Sequence, residues 1–288
     1  METTLRSPER SVVIGPGRPF VIIGERINPT GRPELADELR RGDFDTVRSD
    51  AVAQVQAGAR MLDLNVGAAG VDEVRVLPSV VAAVQEVVDV PLCIDSALPA
   101  ALEAALSACD GKPLVNSVTA EEESLDRILP LIRDRDAAVV GLAHGAEGIT
   151  ADPRDRLAAA RRIVDRAVQL GVAPEDVVID PLVMSVGVDS QAGAVALETM
   201  RLVREQLGVN MICGISNLSH GLPDRDELAA AFLAMAMGAG LTCAIANPLS
   251  SPLLRMMRAA EVSLGLDRFA KEWIRLHREG RPRGGGGG

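Results

Sequence analysis

Pro91–Ser117 reads PLCIDSALPAALEAALSACDGKPLVNS. It opens with a short apolar run, Pro91–Ile94, that stops on the carboxylate of Asp95. An alanine- and leucine-rich stretch with helical periodicity follows over 98–108. A second apolar run, Pro113–Val115, then stops on Asn116. Apolar runs this short are strands buried on both faces, and two strands joined by a helix run parallel.

The same unit repeats in both directions. Apolar runs occur at Phe20–Gly24, Met61–Leu64, Pro91–Ile94, Pro113–Val115, Ala138–Leu142, Val177–Ile179, Met211–Gly214 and Thr242–Ile245. Helical periodicity falls near 42–58, 74–88, 98–108, 120–133, 153–170, 192–207, 226–238 and 251–264. Eight strands alternating with eight helices predict an α/β fold of the (β/α)₈ TIM-barrel type, in preference to an open doubly wound sheet. The whole chain, 1–288, reads as one domain with its core at about 20–264. The glycine-rich C-terminal tail, ending REGRPRGGGGG, reads as an unpacked end.

Nearly every apolar run stops on a polar residue: Glu25, Asp63 with Asn65, Asp95, Asn116, His144, Asp180 and Asn217. In a barrel these positions ring the mouth where active sites lie. One such residue is often a helix cap, but a set at successive strand ends points to a binding site.

Composition narrows the function. A net charge of −10 and an aromatic content of 2%, with no tyrosine, argue against a nucleic-acid surface. No apolar run is long enough to span a bilayer, and METTLRSPERS has no secretory h-region, so the expectation is a cytoplasmic protein without a membrane partner. Cys93, Cys109, Cys213 and Cys243 form no CxxC pair and read as core residues. Three histidines without HExxH or clustered carboxylate spacing give no metal site.

The strand-end segments occur in a fixed order: GERIN (Gly24–Asn28), LDLNVG (Leu62–Gly67), LCIDS (Leu92–Ser96), VNS (Val115–Ser117), IDPL (Ile179–Leu182) and GISNLS (Gly214–Ser219). As a series they resemble the methyltetrahydrofolate:corrinoid protein methyltransferases, relatives of dihydropteroate synthase and of the folate module of cobalamin-dependent methionine synthase. The resemblance runs from about Phe20 to Leu264. It implies a pterin-binding barrel that exchanges a methyl group between N5 of methyltetrahydrofolate and the cobalt of a cobalamin held by a separate corrinoid protein. It also implies a homodimer, for which the chain itself offers only the apolar stretch Ala229–Met237.

The resemblance places Asp95, Asn116 and Asp180 on the pterin ring. That fits the chemistry, because a carboxylate can take two N–H groups of the pyrimidine edge and a carboxamide can serve a donor and an acceptor together. It assigns Asn217 to the reacting N5, whose departure as an amine needs a hydrogen bond that strengthens as charge develops. His220 departs from the family's glutamine-like residue, and a histidine there can supply the N5 proton itself. Ser219, Arg225 and Asn28 are further candidates for the pterin site, and Glu25, Asp63 and Asn65 read as supporting residues.

Two alternatives stand beside this reading: a dihydropteroate synthase-like enzyme and a non-catalytic folate-binding subunit. Against the first, the loop after strand one reads NPTGRPEL and strand eight ends IANPLSSP, without a basic cluster for a diphosphate. Against the second, Asp95, Asn116, Asp180 and Asn217 are all present. No D-x-H-x-x-G segment occurs, so the resemblance requires the corrinoid to arrive on another protein.

Overall fold

The computed structural model describes residues 1–279. The chain opens with an antiparallel hairpin, β1 (Thr3–Arg6) and β2 (Ser11–Ile14), and then enters the barrel. The barrel strands are β3 (Val21–Ile27), β4 (Met61–Asn65), β5 (Leu92–Asp95), β6 (Leu114–Thr119), β7 (Ala138–Leu142), β8 (Val177–Asp180), β9 (Asn210–Met211) and β10 (Cys243–Ala246). Helices α1 (Pro33–Arg41) and α2 (Asp45–Gln56) follow β3. Then α3 (Glu73–Gln85), α4 (Pro99–Ala108), α5 (Glu122–Asp134), α6 (Pro153–Gln169), α7 (Ala192–Gln206), α8 (Arg225–Ala239) and α9 (Ser251–Ser263) each follow one strand. A last helix, α10 (Lys271–Glu279), ends the described chain.

The eight strands pair in parallel in the order β10-β3-β4-β5-β6-β7-β8-β9. The ring closes where Thr242 N–H donates to the Met211 carbonyl (3.2 Å) and Ile245 N–H to the Cys213 carbonyl (3.0 Å). Side chains alternate across each strand. One set, including Ile22, Leu62, Ile94, Val115, Val139 and Ile179, packs outward beneath the helices. The other, including Val21, Ile23, Met61, Cys93, Leu114, Val140, Val178 and Cys243, fills the barrel interior. Three of the four cysteines, Cys93, Cys213 and Cys243, are therefore core side chains, as their apolar surroundings predict.

The N-terminal hairpin plugs the bottom of this interior. Leu5, Val12 and Ile14 are buried in the same cluster as the inner strand residues. Asn210 Nδ2 ties the plug down by donating to Thr3 Oγ1 (2.9 Å) and to the Ile14 carbonyl (3.0 Å). The hairpin thus closes the end of the barrel opposite the C-terminal ends of the strands.

The structure refines the sequence reading in three places. The helix expected over 42–58 is α2 (Asp45–Gln56), and an additional helix, α1 (Pro33–Arg41), precedes it, ended where Gly42 adopts φ 71°, the left-handed conformation that favours glycine. The run Met211–Gly214 is strand only at Asn210–Met211, and the chain turns into a 3₁₀ helix at Ile215–Asn217. Beyond Leu264 the chain carries α10, on which Trp273 and Ile274 are exposed. The terminal glycine run lies outside the described residues. Among the described residues no helix is long and apolar enough to cross a membrane.

Candidate functional site

Two-residue alternation carries the interior face of each strand upward from apolar to polar. Above Val21 and Ile23 stands Glu25, and above Met61 stand Asp63 and then Asn65. Above Cys93 stands Asp95, above Leu114 stands Asn116, and above Val178 stands Asp180. Strand register aligns three of these across neighbouring strands, since Asn65 pairs with Asp95 and Asp95 with Asn116. The polar residues read from sequence as strand ends are thus brought together at one mouth.

Asp95 is partly buried and accepts a hydrogen bond from Asn65 Nδ2 at 2.8 Å. Burial pushes its carboxyl up to about 6; the Asn65 bond opposes this and the nearby Glu73 charge adds to it. Asn65 is itself held by the Gly67 N–H, which donates to its Oδ1 at 2.8 Å. Glu73, in the first turn of α3, accepts from the Ser96 hydroxyl at 2.6 Å. Sequence reading missed Glu73, because nothing about a first-turn glutamate distinguishes it from a helix-dipole partner.

Asp180 carries the largest shift among the proposed ligand-gripping carboxylates. Burial raises it to about 7, against the Leu182 N–H that donates to its Oδ1 at 2.7 Å and the charge of Arg156. A carboxyl poised there is a strong acceptor for paired N–H donors that arrive with a ligand.

Deeper in the barrel, Asp63 is 3% exposed and its Oδ1 has no hydrogen-bond partner. Burial first and the Asp95 charge second hold it well above the usual carboxylate range, partly offset by the Cys93 thiol and the Asn116 amide. Asp63 thus lies as a buried acid under the mouth, beside the Asn116 amide. Glu25 accepts from the Ser216 hydroxyl at 3.0 Å and is likewise raised by burial.

On the opposite rim, Asn217 is exposed and closes the 3₁₀ turn after β9. Its side chain lies over Gly214: a Cβ on that glycine would stand 3.0 Å from Asn217 Nδ2. His220 is exposed in the same loop, and its carbonyl accepts from the Ser185 hydroxyl at 2.8 Å. Ser219 is fully buried, with its hydroxyl turned back to the Ser216 carbonyl at 3.3 Å. Arg225, the first residue of α8, is exposed and donates to that same carbonyl at 3.2 Å. Asn28 lies one residue beyond β3, where its Oδ1 caps the turn by accepting from Thr30 N–H at 2.9 Å.

The geometry is a polar cup with adjacent carboxylate and carboxamide groups on one side and a carboxamide on the other. The sequence profile described as "Pterin binding enzyme" matches residues 24–247, from the middle of β3 to just past β10. This chain belongs to the pterin-binding enzyme family.

Within that family it is 30% identical over 265 residues to a methylcorrinoid:tetrahydrofolate methyltransferase of Eubacterium limosum, covering 91% of this chain and 97% of that protein. It is 28% identical over 254 residues to the methionine synthase of Mycobacterium tuberculosis (strain ATCC 25618 / H37Rv), covering 84% of this chain and 21% of that much longer protein. Solved pterin-binding barrels share the fold at lower identity. Dihydropteroate synthase from Xanthomonas albilineans in complex with 7,8-dihydropteroate superposes with a TM-score of 0.66 at 21% identity, over 90% of this chain and 98% of that one. The Stenotrophomonas maltophilia dihydropteroate synthase gives 0.68 at 17% identity, over 91% and 98%.

Proposed function

We propose that this pterin-binding enzyme is a methyltransferase that moves a methyl group between N5 of 5-methyltetrahydrofolate and the cobalt of a corrinoid on a separate protein. The observation that carries the reading is the row of Asp95 and Asn116 on adjacent strands with Asp180 across the same mouth, in a chain 30% identical over nearly its full length to a methylcorrinoid:tetrahydrofolate methyltransferase.

In this reading the pyrimidine edge of the pterin donates to the carboxylates of Asp180 and Asp95, while Asn116 serves a donor and an acceptor together. Desolvated carboxylates of raised pKa gain most from such partners, so the cup binds the ring tightly only when both ionise. Asn217 faces the reacting edge from the opposite rim. The N5–methyl bond breaks with its electron pair staying on nitrogen, the methyl goes to the cobalt, and a proton delivered to N5 makes it a neutral amine. A hydrogen bond from Asn217 that strengthens along this path lowers the barrier. His220 stands in the same loop as a candidate source of the proton, and Ser219, Arg225 and Asn28 complete the surround.

The corrinoid protein docks over the C-terminal face of the barrel, since the hairpin closes the other end. The enzyme is a cytoplasmic homodimer in this reading. Most of Ala229–Met237 is buried in the core, so the apolar contribution of α8 to an interface comes from the exposed Leu228 and Met235. The test is an anaerobic assay of the protein with 5-methyltetrahydrofolate and free cob(I)alamin, following loss of the cob(I) absorbance. Turnover that depends on the enzyme and disappears in Asp180→Ala supports the assignment. Failure to bind methyltetrahydrofolate at all overturns it.

A further inference from the structure

Helix α3 already has its cap, because the Asp72 side chain accepts from the Arg75 N–H at 3.4 Å. Glu73, the next residue, is not needed for that task. Its carboxylate instead reaches across to the end of β5 and accepts from the Ser96 hydroxyl at 2.6 Å. A hydroxyl donating to a carboxylate at this distance makes a charge-assisted bond, stronger than a neutral one.

Ser96 directly follows Asp95 and is 3% exposed. Its hydroxyl also accepts from the Leu98 N–H at 3.1 Å, and its own N–H donates to the Asn116 carbonyl at 3.0 Å. One buried serine therefore ties the end of β5 to the end of β6. With its proton given to Glu73 and a lone pair to Leu98, the hydroxyl has a fixed direction.

Glu73 also lies against a second path to the same carboxylate. A Cβ on Gly67 would stand 3.6 Å from Glu73 Oε1 and 3.3 Å from Asn65 Oδ1, so only a small residue fits closely between them. The Gly67 N–H holds Asn65, and Asn65 donates to Asp95 at 2.8 Å. The two paths meet on Asp95.

We propose that Glu73 is a positioning residue of the pterin site, acting through Ser96 to set the strand ends that carry Asp95 and Asn116. The inference rests on the reading of the mouth as a pterin site and deepens it. Two side chains from neighbouring strands grip one flat ring only if they are held to within about 0.5 Å of the productive geometry. A carboxylate bonded to the residue between them supplies that restraint from outside the barrel strands.

The experiment is anaerobic calorimetry of 5-methyltetrahydrofolate binding at pH 8, where Asp95, held at about 6, is ionised. Glu73→Ala frees the Ser96 hydroxyl and should weaken binding about fivefold, the worth of one ordinary hydrogen bond. Glu73→Gln keeps an oxygen that accepts from Ser96 and should bind within about twofold of wild type. Ser96→Ala should weaken binding as well, and adding Glu73→Ala to it should cost nothing further, because the two act as one unit. A role confined to the stability of α3 would lower the melting temperature and leave affinity alone. Wild-type affinity in Glu73→Ala, a Gln variant as weak as the Ala one, or additive losses in the double variant overturns the positioning role and leaves the pterin reading standing. Absence of binding by the wild type overturns both.

Discussion

The Arg156 guanidinium reaches from α6 under the loop after β8 and donates to the Leu182 carbonyl at 2.6 Å. The same side chain donates to the carbonyls of Pro181 (3.0 Å) and Thr150 (2.8 Å), and it is 3% exposed with no carboxylate in contact. Leu182 sits at φ 67°, a left-handed conformation that is costly for leucine, and its N–H is the one bonded to Asp180. Arg156 thus holds the strained residue that in turn holds Asp180, the carboxylate proposed to grip the ligand.

Arg156→Met should therefore act on both stability and binding. Three carbonyls, two of them buried, lose their donor, which costs about 1–3 kcal/mol for each buried one left unsatisfied and less as water enters. The expected result is destabilisation of about 2–5 kcal/mol in urea unfolding, with methyltetrahydrofolate affinity falling further than that of a variant equally destabilised elsewhere. Unchanged affinity in a folded Arg156→Met protein would show that the loop does not depend on this anchor.

The raised carboxyl of Asp180 sets a pH dependence whose sign follows from linkage. Its pKa is about 7 in the fold, against about 4 in an unfolded chain. Between these values the native state keeps a proton that the unfolded state has lost, so its contribution to stability falls as pH rises from about 4 to about 7. Ligand donors reverse the preference by favouring the ionised form. Methyltetrahydrofolate affinity should thus be flat above about pH 7 and weaken by up to about tenfold per unit below it, with proton release on binding. Calorimetry in two buffers of different ionisation enthalpy measures that proton. In Asp180→Asn the limb near pH 7 should vanish, leaving the lower one from Asp95, which is held at about 6.

The repeating strand–helix units and the mouth were legible for one reason. A buried parallel strand reads as an apolar run, and period two turns its last polar residue toward the axis, so Asp95, Asn116 and Asp180 could be placed from Pro91–Ser117 and its repeats. What stayed hidden depends on distant contacts. Arg156 and Glu73 look like ordinary residues of surface helices, and only tertiary packing turns them inward. The hairpin was missed because TTLR and SVVI are short and flanked by charges, leaving Leu5, Val12 and Ile14 as its only signal.

That plug should be stringent for stability and remote from chemistry. Leu5 is fully buried at the bottom of the barrel, beside Val12 and Ile14. Leu5→Ala opens a cavity in a rigid ring that cannot collapse around it, so the loss should be about 2–5 kcal/mol in urea unfolding. Affinity for methyltetrahydrofolate at low temperature should be unaltered. A large drop in affinity would mean that the plug also shapes the mouth.

Gly214 offers a way to move Asn217 without removing it. Its backbone, at φ −75° and ψ 102°, is open to any residue, so alanine adds no strain of its own. The added Cβ would stand 3.0 Å from Asn217 Nδ2 and 3.4 Å from its Cγ, so the side chain must shift by a few tenths of an ångström. Because that side chain is exposed, the fold should lose little, and the melting temperature of Gly214→Ala should match wild type within a few degrees. The pterin grip proposed for β5, β6 and β8 is untouched, so methyltetrahydrofolate affinity should hold. If the Asn217 hydrogen bond to N5 is made mainly in the transition state, the rate of methyl transfer should fall tenfold or more, about 1.4 kcal/mol for each factor of ten. Asn217→Ala should fall further still. Wild-type turnover in Gly214→Ala would place the proton-linked hydrogen bond on another residue, with His220 the first to test.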